Sequence, residues 1–288
     1  MAHYLDPKND LTFKRVFGEH KHLCISLINS MLPLAKPIVN IEYNTSELVP
    51  ELTDVLRNTI VDVRCTDADG RQFIVEMQMY WSESFKSRVL LNASKAYVLQ
   101  LEKAEDFELL QPVYALNFVN DTFEKSPEMA DEYYHYYKIV NIKNTEKQIE
   151  GLEFLFVELP KFKPQNNAEK KLHELWLRFL TEINEKTKEA PRELLENKLI
   201  GEAVGYVERA AYTKEQLSAY DKWKIAVMTE RSALRDAKIE GKIEGKIETV
   251  LKMLEDGMPV DIIEKYTGLP QEQIKQLKTV NGMAFDAS

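Results

Sequence analysis

Between Ile60 and Tyr80, apolar and polar residues alternate in two runs separated by DADG, the period-two pattern of two half-buried strands joined by a tight loop. In the first run Val61, Val63 and Cys65 share one side, while Ile60, Asp62 and Arg64 share the other. In the second, Phe73, Val75, Met77 and Met79 face away from Ile74, Glu76 and Gln78. The loop decides which side chains meet. A two-residue loop at Ala68 and Asp69 sets Asp62 opposite Val75; a three-residue loop at Ala68, Asp69 and Gly70 sets it opposite Glu76. Gly70 selects the second, because such hairpins run through a type I turn into a left-handed residue that glycine adopts without a Cβ clash. Asp62 and Glu76 then lie about 5 Å apart at Cβ, with Gln78 beside them. Facing like charges destabilise a sheet unless a cation sits between them, and a hard divalent ion such as Mg²⁺ suits oxygen ligands. The alternative is a solvated sheet face with two exposed carboxylates.

The same patterning organises the rest of the chain. Asp10 to Met31 has helical spacing, capped by Asn9 or Asp10 and breakable between Gly18 and His22. Ile38 to Leu48 alternates like a strand, with the acidic Glu51 and Asp54 just after it. Glu83 to Leu101 is an amphipathic helix with Phe85, Val89, Ala93, Ala96 and Leu99 on one face; Arg88, Asn92, Lys95 and Gln100 are assigned to the rest of its surface, free for phosphates. Pro112 to Asn120 is a continuous apolar run of the kind found at a sheet centre. Tyr133 to Ile142 and Leu152 to Leu159 extend or flank the sheet, and their tyrosines suit packing better than base stacking. From Ala168 the spacing is helical throughout. KIEGKIEGKIE places Ile239, Ile243 and Ile247 in a slowly drifting stripe that reads as a packing or dimer surface, and DIIEKYTGLPQEQIKQL reads as a helix-turn-helix-like unit or a small docking hairpin. The expected divisions are 1–163, 164–256 and 257–288.

Composition narrows the class. With 288 residues, 44% hydrophobic and 30% charged, the chain is long enough for one large or two smaller domains. No apolar run reaches the roughly 20 residues that span a bilayer, and the first residues lack a signal-peptide core, so no membrane partner is expected. Two cysteines without CxxC spacing indicate neither a disulfide framework nor a zinc cluster, which fits a reducing cytoplasm. The net charge of −9 runs against nucleic acid, yet Lys14, Arg15, Arg57, Arg64, Arg71, Lys86, Arg88 and Lys95 gather around the hairpin. The five histidines show no zinc-type spacing, and GxSxG and phosphate-binding glycine loops are absent.

Asp62 followed fourteen positions later by Glu76-Met77-Gln78 resembles the D…(D/E)xK motif of the PD-(D/E)xK nucleases, with glutamine where lysine usually stands. DPKNDLTFKRVFG, VDVRCTDADGRQFIVEMQM and LEFLFVELPKF are similar to the recombination-promoting nuclease and putative transposase family, from about Asp6 to Lys163. The resemblance implies an α/β restriction-endonuclease-like fold, an αβββαβ core with a mixed sheet, followed by an all-helical C-terminal region. It implies a metal-dependent DNA endonuclease linked to recombination or mobile DNA. Asp62, Glu76 and the Met77 carbonyl would hold Mg²⁺, or Mn²⁺ or Ca²⁺ in its place, and Gln78 would orient the water. The resemblance also places Lys14 near the cleft, where it could stand in for the missing lysine. Arg64, Lys86, Arg88 and Lys95 are the expected DNA contacts, and the C-terminal helices the expected homodimer surface. The runner-up reading is a non-catalytic DNA-binding or assembly protein on a nuclease fold. A third, a protein acting on something other than nucleic acid, draws only on the acidic charge.

Overall fold

The computed structural model describes residues 3–44, 63–102, 106–164 and 171–280. The chain forms two compact units, 1–224 and 225–288.

In the first unit Asn9 caps α1 (Asp10–Phe13), its side chain accepting the Leu11 N–H. A π-helical turn, Lys14–Gly18, follows, and α2 (Lys21–Met31) begins after His20, so the break falls where the sequence allows it. A six-stranded sheet follows the order β1-β2-β3-β4-β6-β5. Its members are β1 (Ile41–Tyr43), β2 (Val63–Asp67), β3 (Gln72–Gln78), β4 (Val113–Val119), β5 (Tyr134–Asn141) and β6 (Asn144–Glu158). β1, β2 and β3 are antiparallel, β3, β4 and β6 parallel, and β5 returns antiparallel on β6. α3 (Glu83–Val98) connects β3 to β4. β6 begins well before Leu152, because residues 144–150 are exposed on both faces and carry no alternation to read.

The strand period divides the side chains into two cores. Val63, Cys65, Phe73, Val75, Leu116 and Phe118 bury one face under Phe13, Val16, Phe17 and α2. The same layer includes Trp176 and Phe179 of α4 (Leu172–Glu182), Leu194 of α5 (Arg192–Glu196), and Ile200 and Val204 of α6 (Lys198–Tyr206). Trp176 meets the Phe17 ring at 5.3 Å and donates to Ser26 Oγ at 3.0 Å. The helices after the proline-containing passage therefore share the sheet's core, and the two compact units divide at 224/225. The opposite face buries Ile74, Ala115, Val119 and Phe156 under Phe85, Val89, Ala93 and Ala96 of α3. Tyr133, Tyr134 and Tyr136 pack against the first core, with the Tyr134 hydroxyl donating to the Met31 carbonyl at 2.7 Å.

In the second unit, α7 (Lys214–Glu255), which starts in the first, contributes Val250 and Leu254 to a small core. Ile263 of α8 (Val260–Thr267) and Ile274 of α9 (Gln271–Val280) complete it. Gly268, at φ +66°, ends α8 in the left-handed conformation and donates to the Glu264 carbonyl. Helix, strand, hairpin, helix and strand thus follow one another around a mixed sheet, with a helical C-terminal region: an α/β, restriction-endonuclease-like fold.

Candidate active site

The loop chemistry sets the hairpin register as the sequence predicts. Gly70, at φ +85°, donates to the Asp67 carbonyl at 3.1 Å, and Asp67 receives the Arg71 and Asp69 N–H groups on Oδ1 and the Arg71 guanidinium on Oδ2. The ladder then runs Thr66↔Gln72, Cys65↔Phe73, Arg64↔Ile74 and Val63↔Val75. Asp62 lies outside the described residues, as do Glu51, Asp54 and Arg57.

Along β3, Ile74, Glu76 and Gln78 all face α3. Glu76 is 6% exposed, so it does not belong to a solvated sheet face. Among the described residues its carboxylate receives one hydrogen bond, from Asn92 Nδ2 of α3 at 3.2 Å. Burial pushes its pKa above the ordinary carboxylate value, and the nearby Arg88 charge and the Asn92 hydrogen bond pull against that shift. Asn92, 2% exposed, lies at the i+7 position from Phe85 and i+3 from Val89, on the buried stripe of α3 rather than on its open surface. Opposite Glu76 on β4 stands Asn117, fully buried. Its Nδ2 donates to the Ala115 and Leu155 carbonyls, and its Oδ1 has no hydrogen-bond partner among the described residues.

At the rim of this row Gln78 is fixed at both ends of its amide. Nε2 donates to the Tyr80 carbonyl at 2.8 Å, and Oε1 accepts from Arg88 at 2.7 Å. The Arg88 guanidinium lies 4.9 Å from the Phe85 ring centre, one turn back on α3. The chain after β3 is held in place by Trp81, whose N–H donates to Asp121 and whose ring stacks on Phe123.

The other expected residues are dispersed. Arg64 faces the α3 side, donates to Gln72 Oε1 at 2.8 Å, and has a buried Nε without a partner among the described residues; burial lowers its pKa. Lys86 is exposed and sits 5.3 Å from the Trp81 and Phe123 rings. Lys95 is half-buried, one turn beyond Asn92. Met77 packs its side chain toward the first core, opposite to Glu76. Lys14 pairs with Asp10 at 2.7 Å, and the helical turn that carries it packs with the face opposite to the one Glu76 occupies.

A second buried glutamate escapes sequence reasoning. Glu158, 0% exposed at the end of β6, accepts the N–H groups of Phe123 and Glu124 and is paired with His135 at 2.9 Å and Lys161 at 2.6 Å. Its partners are scattered through residues 123–161, so no local motif announces them. Its saturated hydrogen bonding makes it a clamp on the loop after β4.

A buried polar row under α3 on a mixed sheet, with one acid in low dielectric and Arg88 at its rim, is consistent with the core of an α/β nuclease. The chain belongs to the PD-(D/E)XK nuclease family transposases, whose sequence pattern it matches over residues 7–237. That match extends beyond Lys163 through the helices that share the sheet's core. No curated protein and no solved structure matches the chain. Nucleases of this superfamily generally use divalent metal ions and act on DNA. No helix among the described residues is long and apolar enough to cross a membrane.

Proposed function

We propose that this protein is a metal-dependent DNA endonuclease with its centre at Glu76, serving recombination or mobile DNA. The observation that carries the reading is Glu76 itself, a buried carboxylate that among the described residues receives a single hydrogen bond and stands opposite Asn117, whose Oδ1 has no partner among them. Two buried oxygens short of positive partners suit a hard cation such as Mg²⁺, with Mn²⁺ and Ca²⁺ as relatives. Among the described residues no three acidic, His or Cys side chains converge, so the centre needs a further acid. The register observed up to Val63↔Val75 is the one on which the sequence expectation of Asp62 opposite Glu76 depends, and that expectation supplies the further acid of the proposal. Asp62, Glu76 and the Met77 carbonyl would hold the ion. When bound, such an ion lowers the pKa of a water and neutralises charge developing on phosphate.

The chain's own residues supply the rest. Asn92 orients the Glu76 carboxylate, and Gln78 and Arg88 form the rim against which a phosphodiester would lie. Arg64, Lys86 and Lys95 would engage neighbouring phosphates, and Lys14 would serve at the far side of the hairpin end once released from Asp10. Incubation of purified protein with supercoiled plasmid and Mg²⁺, Mn²⁺ or Ca²⁺ tests the reading. Nicking or linearisation that Glu76→Gln and Asp62→Ala abolish supports it. No cutting with any of these ions, or undiminished cutting by both variants, overturns it, and salt-sensitive DNA binding without turnover would then identify a non-catalytic DNA-binding protein.

We place the enzyme in a reducing cytoplasm, where the buried free thiols Cys24 and Cys65 stay reduced. It would act as a homodimer through α7, where Ile225, Met228, Ile239 and Ile243 are half or more exposed. Around Ile239, Ile243 and Ile247 a lysine precedes and a glutamate follows each isoleucine. In a parallel pair the two-fold axis sets the lysine flank of one helix against the glutamate flank of the other, whereas an antiparallel pair sets like against like. Light scattering should report twice the chain mass for the parent and one chain for Ile239→Glu/Ile243→Glu.

A further inference from the structure

Resting on that nuclease reading, we propose that Arg88 is the catalytic cation of the site and that Gln78 is its positioning residue. Attack of water on a phosphodiester forms a new P–O bond and breaks the bond to the leaving alkoxide. The water's proton passes to solvent, and the alkoxide takes one up. Charge accumulates on the non-bridging oxygens meanwhile, and a fixed cation close to them lowers the barrier. Residue 78, beside the buried acid, is a neutral glutamine. It cannot supply that charge, but its Oε1 holds a residue that can.

Three features of the geometry single out Arg88. Gln78 Nε2 is committed to the Tyr80 carbonyl, so the amide cannot turn over and Oε1 stays toward Arg88 at 2.7 Å. The guanidinium is braced against the Phe85 ring, 4.9 Å from its centre. Gln78 takes one of its five N–H donors among the described residues, which leaves a planar fork able to grip phosphate oxygens. Arg88 is half-buried, so its field on the site is less screened than that of the exposed Lys86. A lysine at position 78 would remove the acceptor and repel the guanidinium, so glutamine here is complementary to Arg88.

The test is single-turnover plasmid cleavage with Mg²⁺ by the parent, Arg88→Gln, Arg88→Lys and Gln78→Lys/Arg88→Gln, beside DNA affinity measured without metal and urea midpoints for folding. Arg88→Gln should lose roughly 10²- to 10³-fold in cleavage rate, far more than it loses in DNA affinity. Arg88→Lys, which keeps the charge and loses the fork, should fall by about tenfold or less. The double variant, with its charge returned on the strand, should recover at least tenfold over Arg88→Gln, a rescue that a merely structural arginine would not show. If Arg88→Gln does not fold, Arg88→Lys and the double variant decide. A folded Arg88→Gln that cuts within threefold of the parent, or a double variant no faster than it, overturns the proposal and leaves the nuclease reading standing. A parent that fails to cut with Mg²⁺, Mn²⁺ and Ca²⁺ alike overturns both.

Discussion

Replacing Asn92 with aspartate changes one amide to a carboxylate of the same shape, in contact with Glu76. The Asn92 Nδ2 to Glu76 Oε1 distance is 3.2 Å, and both side chains are almost fully buried. Two charges at that separation repel by roughly 5 kcal/mol at an effective dielectric of about 20. The variant can avoid the repulsion by keeping one proton on the pair, at about 1.4 kcal/mol for each pH unit above the ordinary carboxylate range, which reaches a similar figure near pH 8. Arg88 offsets part of it. The expected loss is therefore about 3 to 5 kcal/mol at pH 8, a large share of a typical domain's stability. The sign follows from linkage: the folded pair holds a proton more tightly than the unfolded chain, so stability is present at low pH and lost as pH rises. Urea unfolding in metal-free buffer at pH 5 and pH 8, followed by tryptophan fluorescence with Trp176 buried in the sheet's core, measures it. If Asn92→Asp lies within 1 kcal/mol of the parent at both values, the reasoning about a buried, charge-sensitive Glu76 is refuted.

Two further outcomes follow from the same geometry. Because burial raises the Glu76 pKa, its contribution to stability is present below the ordinary carboxylate range of about 4.3 and declines as pH rises through the folded value; Glu76→Gln should flatten the decline in urea midpoint between pH 4 and 8, and identical pH profiles would show that Glu76 is not the group responsible. Gly70→Ala forces a side chain into φ +85° and sets its Cβ 3.1 Å from Gln111 Cγ, so a loss of about 1 to 2 kcal/mol is expected, and a variant as stable as the parent in calorimetry would show that the turn does not fix the hairpin.

Much of this was legible because local chemistry and long-range pairing agree. Gly70 after an Asp67 that caps the turn specifies a three-residue loop, and the loop specifies the register, so the direction of Glu76 follows from a few residues. The alternation across Phe73, Ile74, Val75 and Glu76 separates the two cores correctly for the same reason. Polarity alone puts Asn92 on the open side of α3, yet Phe85, Val89, Asn92 and Ala96 fall at i, i+4, i+7 and i+11, the spacing of a buried stripe; an amide on that stripe is the signal that a buried polar partner awaits it. The polar, proline-containing passage after Lys163 marks a change of direction, and nothing in it shows that Trp176 will meet Phe17.

The two buried glutamates on the α3 face show how function and fold can be told apart in such a sheet. Glu158 collects two backbone N–H groups, a histidine and a lysine, so the desolvation of its charge is offset within the chain. Removing it would free the loop after β4, as expected of a clamp. Glu76, of the same residue type, on the same face, two strands away, has one amide from Asn92 and the more distant influence of Arg88. A fold optimised for stability alone would hold an apolar residue there, since Phe156 and Ala115 show that the surrounding face accepts one. Keeping an acid whose ionisation is opposed by its surroundings makes sense when a positively charged species completes the site, because binding then recovers the cost that folding leaves uncompensated.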